Sequence, residues 1–164
     1  MKQTYRVVSG LIALGVLVQA GAIAAGWFTA IHDVDNGLVI DKNYDGNAFH
    51  SVHGFVGFNV MPILGLILLI VSFFAAKSVP GARKWGAIVF GLIILQVALA
   101  LFAFSVPALG ALHGINALAV LGTSIRAFMA TRESVVARTG ASGGYDVPQQ
   151  ASGSSAPEAS RPVN

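Results

Sequence analysis

Residues 85–125 read WGAIVFGLIILQVALALFAFSVPALGALHGINALAVLGTSI, a run of 41 residues without Asp, Glu, Lys or Arg. An α-helix rises about 1.5 Å per residue, so a single helix of this length would extend roughly 60 Å, about twice the hydrocarbon core of a bilayer. The run therefore predicts two membrane-spanning helices joined by a tight turn. Only residues 105–110 (SVPALG) contain Pro and Gly together, so we expect the turn there.

Two further charge-free runs precede this one, at residues 7–31 and 48–76. Each is longer than the about 20 residues that cross a bilayer as a helix. The first run also exceeds the about 7–15 apolar residues of a cleavable signal peptide, so we expect it to be retained. The sequence thus predicts an all-α, polytopic membrane protein, an antiparallel four-helix transmembrane bundle with spans at about 7–31, 49–76, 86–105 and 109–129.

The composition fits this fold class. The chain is 55% hydrophobic and 10% charged, whereas a soluble domain is about 25% charged, and its mean hydropathy is +0.72. The absence of cysteine excludes disulfides, thiolate metal sites and iron–sulfur clusters. None of the four predicted spans carries Asp or Glu, which disfavours a proton pump or a cation carrier.

The distribution of Lys and Arg predicts the orientation. Nine of the 10 basic residues lie at the chain ends or between the second and third spans, and only Lys42 lies in the loop at 32–48. Cytoplasmic loops carry the excess of Lys and Arg, so both termini are predicted to be cytoplasmic and the loop to be outside. The net charge of +3 therefore reflects membrane topology, and we expect the lipid bilayer, with no nucleic acid, as the surroundings.

The loop at 32–48 contains Asp41-Lys42-Asn43-Tyr44-Asp45-Gly46, which partly matches the start of a calcium-binding loop. The twelfth position would be Val52, where such loops place Glu. The alternative is a solvated turn, because Asp-Gly is a strong turn dipeptide.

The chain divides into two parts. We expect the bundle to occupy residues 1–130 and a disordered cytoplasmic tail to occupy residues 131–164. From Thr139 onward the sequence is mainly Gly, Ser, Ala, Pro and Gln, which cannot bury enough apolar surface to fold.

The first two spans resemble the last two. Val18-Gln19-Ala20 corresponds to Leu95-Gln96-Val97, and His53-Gly54 corresponds to His113-Gly114. Both pairs would run in the same direction through the membrane. The pattern therefore indicates a two-helix internal repeat related by an axis along the membrane normal.

The corresponding histidines, His53 and His113, are the strongest candidates for binding a cofactor. From the helical rise, both lie at one depth near the outer face. If the second and fourth spans are diagonal, the two imidazoles can hold a haem iron between them. Gly57 and Ala117, one turn further along, leave room for a flat ring. The alternative is that small residues serve helix packing and the histidines bind loops.

His50 lies three residues before His53, so it projects from nearly the same face. It could be the haem ligand instead of His53, or it could donate to a haem propionate. Together with His53 it could also form a quinone or metal site.

Gln19 and Gln96 are amides near the middle of their spans, where lipid offers them no hydrogen-bond partner. They either join helices or bind near a cofactor. Asn59 and Asn116 could belong to the same network. Pro62 predicts a kink in the second span.

The elements around these residues resemble a family of small bacterial four-helix membrane proteins of unknown function. They are Gln19 with the Ala-Gly after it, His53 with Gly57, LQVAL at 95–99 and LHGINAL at 112–118. The resemblance covers about residues 5–130 and implies a multi-pass protein of the bacterial inner membrane.

The chain is more distantly similar to one half of haem A synthase, whose halves carry a histidine on their second and fourth helices. This resemblance implies His53 and His113 as axial ligands of a b-type haem, for electron transfer or haem handling with a respiratory or redox partner. The synthase's acidic residue beside the second-helix histidine has no counterpart in residues 49–52, so haem oxidation does not carry over. The alternative is a non-catalytic membrane scaffold or accessory subunit without a cofactor.

Overall fold

The computed structural model describes residues 1–142, with side chains through Arg132, and every regular element in this range is helical. The elements are α1 (Lys2–Asp35), α2 (Ala48–Phe55), a π-helical segment (Val56–Val60), α3 (Met61–Ala75), α4 (Ala82–Ala103) and α5 (Leu109–Ser142). The segments from α2 to α3 follow one another without a break and form the second span. Within the described residues, four helices are long and apolar enough to cross a membrane, as the sequence predicts.

Each observed helix covers most or all of one predicted span, and the differences lie at the helix ends. The turn between α4 and α5 falls at residues 104–108, inside or next to the Pro- and Gly-containing segment. The fourth span continues past its predicted end, and α5 reaches Ser142. Residues 131–142 were expected in the tail, but Ala, Arg and Glu are good helix formers and no proline interrupts them. The remainder of the predicted tail, 143–164, lies outside the described residues.

The spans contact one another in chain order. The first span packs against the second and the fourth, and the third also packs against the second and the fourth. The second and fourth spans therefore lie across from each other, which is the diagonal relation that a shared histidine site requires.

The buried core occupies one half of this arrangement. Its large members include Tyr5, Ile12, Leu68 and Val89, all of which are almost completely buried. These residues lie in the half of each span away from His53 and His113. We call the other half, which carries the two histidines, the histidine end.

The second span is irregular at the histidine end. The π-helical segment Val56–Val60 directly precedes Met61-Pro62. Proline lacks the N–H that would continue the α-helical hydrogen-bond pattern, so the expected irregularity takes the form of a widened turn. α2 and the π-helical segment make their main interhelical contacts with α1, whereas α3 packs on both α1 and α4.

Candidate functional site

The structure brings His53 and His113 together. Their ring centroids are 6.3 Å apart, and the ring planes are inclined by 62°. Both residues are half-buried, and they face each other from the second and fourth spans. His53 and His113, which occupy corresponding positions in the sequence repeat, therefore share one site.

Each histidine is held by a glutamine of the preceding span through two reciprocal hydrogen bonds. The Nδ1 atoms of His53 and His113 lie 3.1 Å from the carbonyl oxygens of Gln19 and Gln96, respectively. In return, the side-chain Nε2 of each glutamine donates to the carbonyl oxygen of its histidine at 2.9 Å. We call each reciprocal pair a His–Gln clasp. The first clasp joins the first and second spans, and the second joins the third and fourth.

The clasps determine the tautomer of both imidazoles. A backbone carbonyl oxygen can only accept a hydrogen bond, so each Nδ1 carries the proton. Nε2 of the neutral ring then presents a lone pair. Neither Nε2 has a hydrogen-bond partner among the residues that the structure describes. A histidine that binds a metal commonly donates its other N–H to a backbone carbonyl in this way.

An apolar cavity of about 340 Å³ lies beside the two rings. This volume falls within the range of about 300–1,000 Å³ of small-molecule sites. All four spans contribute to its wall, including Gly54, Gly57, Gly114 and Ala117, the small residues that the sequence marked around the histidines. The apolar part of the wall further includes Val16, Leu17, Ala20, Ile23, Phe58, Met61, Ile93, Val97 and Ala100.

The separation of the two imidazole rings matches that of two histidines sharing a haem iron. An imidazole nitrogen lies about 2 Å from a bound metal ion and about 1 Å from the centre of its own ring, so two imidazoles on opposite sides of one ion have centres about 6 Å apart. The observed separation is 6.3 Å. An inclination between the ring planes is compatible with this arrangement because each ring can rotate about its own metal bond. The apolar wall suits the macrocycle.

The two clasps differ in one hydrogen bond. Asn116 Nδ2 donates to Gln96 Oε1 at 2.6 Å and lies 2.9 Å from the carbonyl oxygen of Leu92. Gln19 Oε1, in contrast, is buried without a partner. Val56 follows His53 by three residues, as Asn116 follows His113, so the first clasp has an apolar residue where the second has an amide.

Asn59, which the sequence grouped with Asn116, does not join this network. It is exposed, and its side chain donates to the Phe55 carbonyl oxygen of its own helix at 3.0 Å. Gly57 does contribute to the first clasp, because a Cβ at this position would lie 2.7 Å from Gln19 Nε2. Glycine therefore lets the amide approach the second span closely.

The structure does not bring His50 to the cavity. Its Nδ1 accepts a hydrogen bond from the Asn47 backbone N–H at 3.2 Å, as part of the cap of α2. Its ring packs edge-on against Trp27 and Tyr44, with centroid separations of 5.2 Å and 6.3 Å. A joint quinone or metal site of His50 and His53 therefore has no geometric support. Among the residues whose side chains the structure describes, no group of three or more His, Cys, Asp or Glu residues is suited to a metal ion.

The segment Asp41–Gly46, which partly matches a calcium-binding loop, forms a turn. Asp41 Oδ1 accepts from the Asn43 backbone N–H at 2.8 Å, and Asp41 Oδ2 accepts from the Asn43 side chain at 3.2 Å. Gly46 has φ of +85°, a conformation that favours glycine. The arrangement agrees with the solvated turn that was the alternative to calcium binding.

No family model matches the chain, and neither a curated protein nor a solved structure matches it. The histidine pair, the clasps and the cavity are therefore the observations from which a function can be inferred.

Proposed function

We propose that this chain is a multi-pass protein of a bacterial cell membrane whose four spans form an antiparallel bundle with both termini in the cytoplasm. The four apolar helices support insertion in the bilayer. Of the eight Lys and Arg residues up to Arg132, seven lie at the end opposite the histidine end, and this asymmetry supports the orientation. The histidine end then faces the outside of the cell.

We further propose that the protein binds a b-type haem between the second and fourth spans, with His53 and His113 as its axial ligands. The observation that carries this proposal is the histidine pair itself, with ring centroids 6.3 Å apart. Both Nδ1 atoms are occupied by backbone carbonyls, which leaves both Nε2 atoms available at the wall of an apolar cavity. An arrangement that needed the histidines only as polar contacts between the first and second spans and between the third and fourth would not require the two rings to lie beside each other.

A haem bound in this way would supply a one-electron redox couple, and no position would be open for oxygen activation while both histidines are bound. The protein's own residues orient and tune the site. The carbonyls of Gln19 and Gln96 fix the planes of the imidazoles and increase the basicity of their Nε2 atoms. The predominantly apolar wall gives the site a low polarity. Electron transfer with a redox partner in the membrane, or the handling of haem, follows from these properties.

The test is the absorption spectrum of the protein purified in detergent from haem-sufficient cells. We expect a Soret band, α and β bands that sharpen on reduction, and one haem per chain. The variants His53→Ala and His113→Ala should each lose the low-spin spectrum. His32→Ala is the matched control, because His32 is exposed at the same end and does not line the cavity. Its Nδ1 lies 3.2 Å from Asp33 Oδ1. A colourless protein that also fails to bind added haem would overturn the proposal.

A second candidate is a membrane scaffold or accessory subunit without a cofactor. The clasps favour it, since they join the spans of each pair without any ligand. In this case the purified protein binds no haem, and His113→Ala changes only its thermal stability. The spectrum and the melting curve together therefore distinguish the two functions.

A further inference from the structure

The two histidines have matching clasps but different surroundings. The difference concerns how easily each histidine could leave a bound iron. If the proposed haem binding holds, on which this inference rests, we propose that His113 is the fixed axial ligand and His53 the displaceable one. The position that His53 vacates would take a small neutral ligand of the carbon monoxide class.

The first observation is the hydrogen bonding behind each ring. Gln96 is fixed at both ends of its amide, by His113 on one side and by Asn116 on the other, with the two donor–acceptor distances at 2.9 Å and 2.6 Å. Gln19 is fixed at one end only, because its Oε1 is buried without a partner. The carbonyl that orients His53 therefore belongs to a residue whose side chain is less restrained. Asn116 and Gln19 are positioning residues, since they act on the site through the histidines.

The second observation is the backbone that carries each ring. His53 lies in the last turn of the short helix α2 (Ala48–Phe55), and the π-helical segment Val56–Val60 begins three residues after it. His113 lies in the first turns of α5, a continuous α-helix of 34 residues. π-helical segments interrupt the regular hydrogen-bond ladder and often occur at functional sites. A small rotation of the helix end that bears His53 therefore disturbs fewer regular bonds.

The third observation is packing. α2 and the π-helical segment make their main interhelical contacts with α1, whereas the fourth span packs on both the first and the third. Asn116 is buried and attaches α5 to α4 through Leu92. Val56 offers no such polar attachment on its side. His53 is consequently carried by the less firmly held wall of the cavity.

The displacement conserves electrons and atoms. His53 Nε2 would leave with its lone pair, and the lone pair of the incoming neutral ligand would take its place, so no electron would be gained or lost. No proton is exchanged, because the proton of His53 stays on Nδ1 in its bond to the Gln19 carbonyl oxygen.

The test mixes carbon monoxide rapidly with the reduced, haem-loaded protein and measures the rate of binding from the change in absorption. We expect binding at a rate that becomes independent of carbon monoxide concentration, since the departure of His53 limits it. Val56→Asn supplies the donor that Gln19 Oε1 lacks and should slow binding by roughly two- to tenfold, the effect of one hydrogen bond. Gln19→Leu removes the side-chain bond to His53 and should accelerate binding by a similar factor. Asn59→Val, an exposed position, is the control and should leave the rate unchanged.

The result that overturns the inference is a haem-loaded protein whose carbon monoxide rate is unaffected by Val56→Asn and Gln19→Leu. A protein that binds no haem refutes the proposed function instead, so the two failures are distinguishable. Hydrogen exchange of the haem-free protein provides a readout that needs no haem. We expect amides of residues 48–60 to exchange faster than those of residues 109–119, and the reverse order contradicts the inference.

Discussion

The asymmetry of the two clasps leads to a quantitative prediction for a matched pair of substitutions, Gln96→Leu and Gln19→Leu. Gln96→Leu removes two interhelical hydrogen bonds, to the His113 carbonyl oxygen and from Asn116. Such bonds contribute about 0.6 kcal/mol on average in a membrane protein and at most about 1.7 kcal/mol. We therefore expect Gln96→Leu to lower the free energy of unfolding by about 1–3 kcal/mol.

Gln19→Leu removes one bond of the same kind, to the His53 carbonyl oxygen. It also removes the buried Gln19 Oε1, which has no partner. An unsatisfied buried acceptor costs about 1–3 kcal/mol, so the loss and the gain offset each other. We expect Gln19→Leu to be neutral or slightly stabilising in the haem-free protein. The substitution leaves in place the backbone carbonyl that accepts from His53.

The assay is unfolding of the detergent-solubilised, haem-free protein by sodium dodecyl sulfate, followed by far-ultraviolet circular dichroism. The double variant Gln96→Leu with Asn116→Val measures the coupling inside the second clasp, and it should be less destabilised than the sum of the single variants. Equal destabilisation by Gln96→Leu and Gln19→Leu would show that the clasps are energetically equivalent and would refute the reasoning.

Three further predictions concern packing, the core and the ligand. Gly86→Ala should destabilise the protein by about 1–3 kcal/mol, because a Cβ there would lie 2.6 Å from Ser72 Cβ. Gly91→Ala is the control and should be neutral or stabilising, because a Cβ there would meet nothing within 4 Å. Similar melting points for the two variants would contradict the close contact between Gly86 and Ser72. Tyr5→Phe removes the buried hydrogen bond from the Tyr5 hydroxyl to the Ala82 carbonyl oxygen. It should lower the free energy of unfolding by about 0.5–1.5 kcal/mol, measured in the same unfolding assay. Added haem at a hundredfold excess over its dissociation constant should stabilise the protein by about 2.7 kcal/mol, and an unchanged melting point would argue against specific binding.

The positions of the helices could be predicted from the sequence because charge and hydropathy determine them. The 41-residue run at 85–125 is too long for one span, and its only Pro- and Gly-containing segment predicted the turn that separates α4 from α5. The helix ends were less predictable, since they depend on local hydrogen bonds. The continuation of α5 through Ser142 illustrates this, because helix formers extend the helix beyond the apolar span.

The pairing of His53 with His113 was predictable because the repeat assigns both residues to the same depth. The contacts around them were not, because they depend on the rotation of each helix about its axis. His50, only three residues from His53, turns toward Trp27 and Tyr44. The different roles of Asn59 and Asn116 have the same cause. The orphaned Gln19 Oε1 had a sequence signal, namely Val56 at the position that corresponds to Asn116, although its meaning required the structure.

The most direct test of the shared histidine site is the electron paramagnetic resonance spectrum of the ferric protein carrying ¹⁵N-labelled histidine. We predict a low-spin signal with hyperfine coupling to histidine nitrogens on both sides of the iron, and loss of one coupling in His113→Ala. A high-spin signal in the native protein, or coupling to a single histidine, would contradict the account.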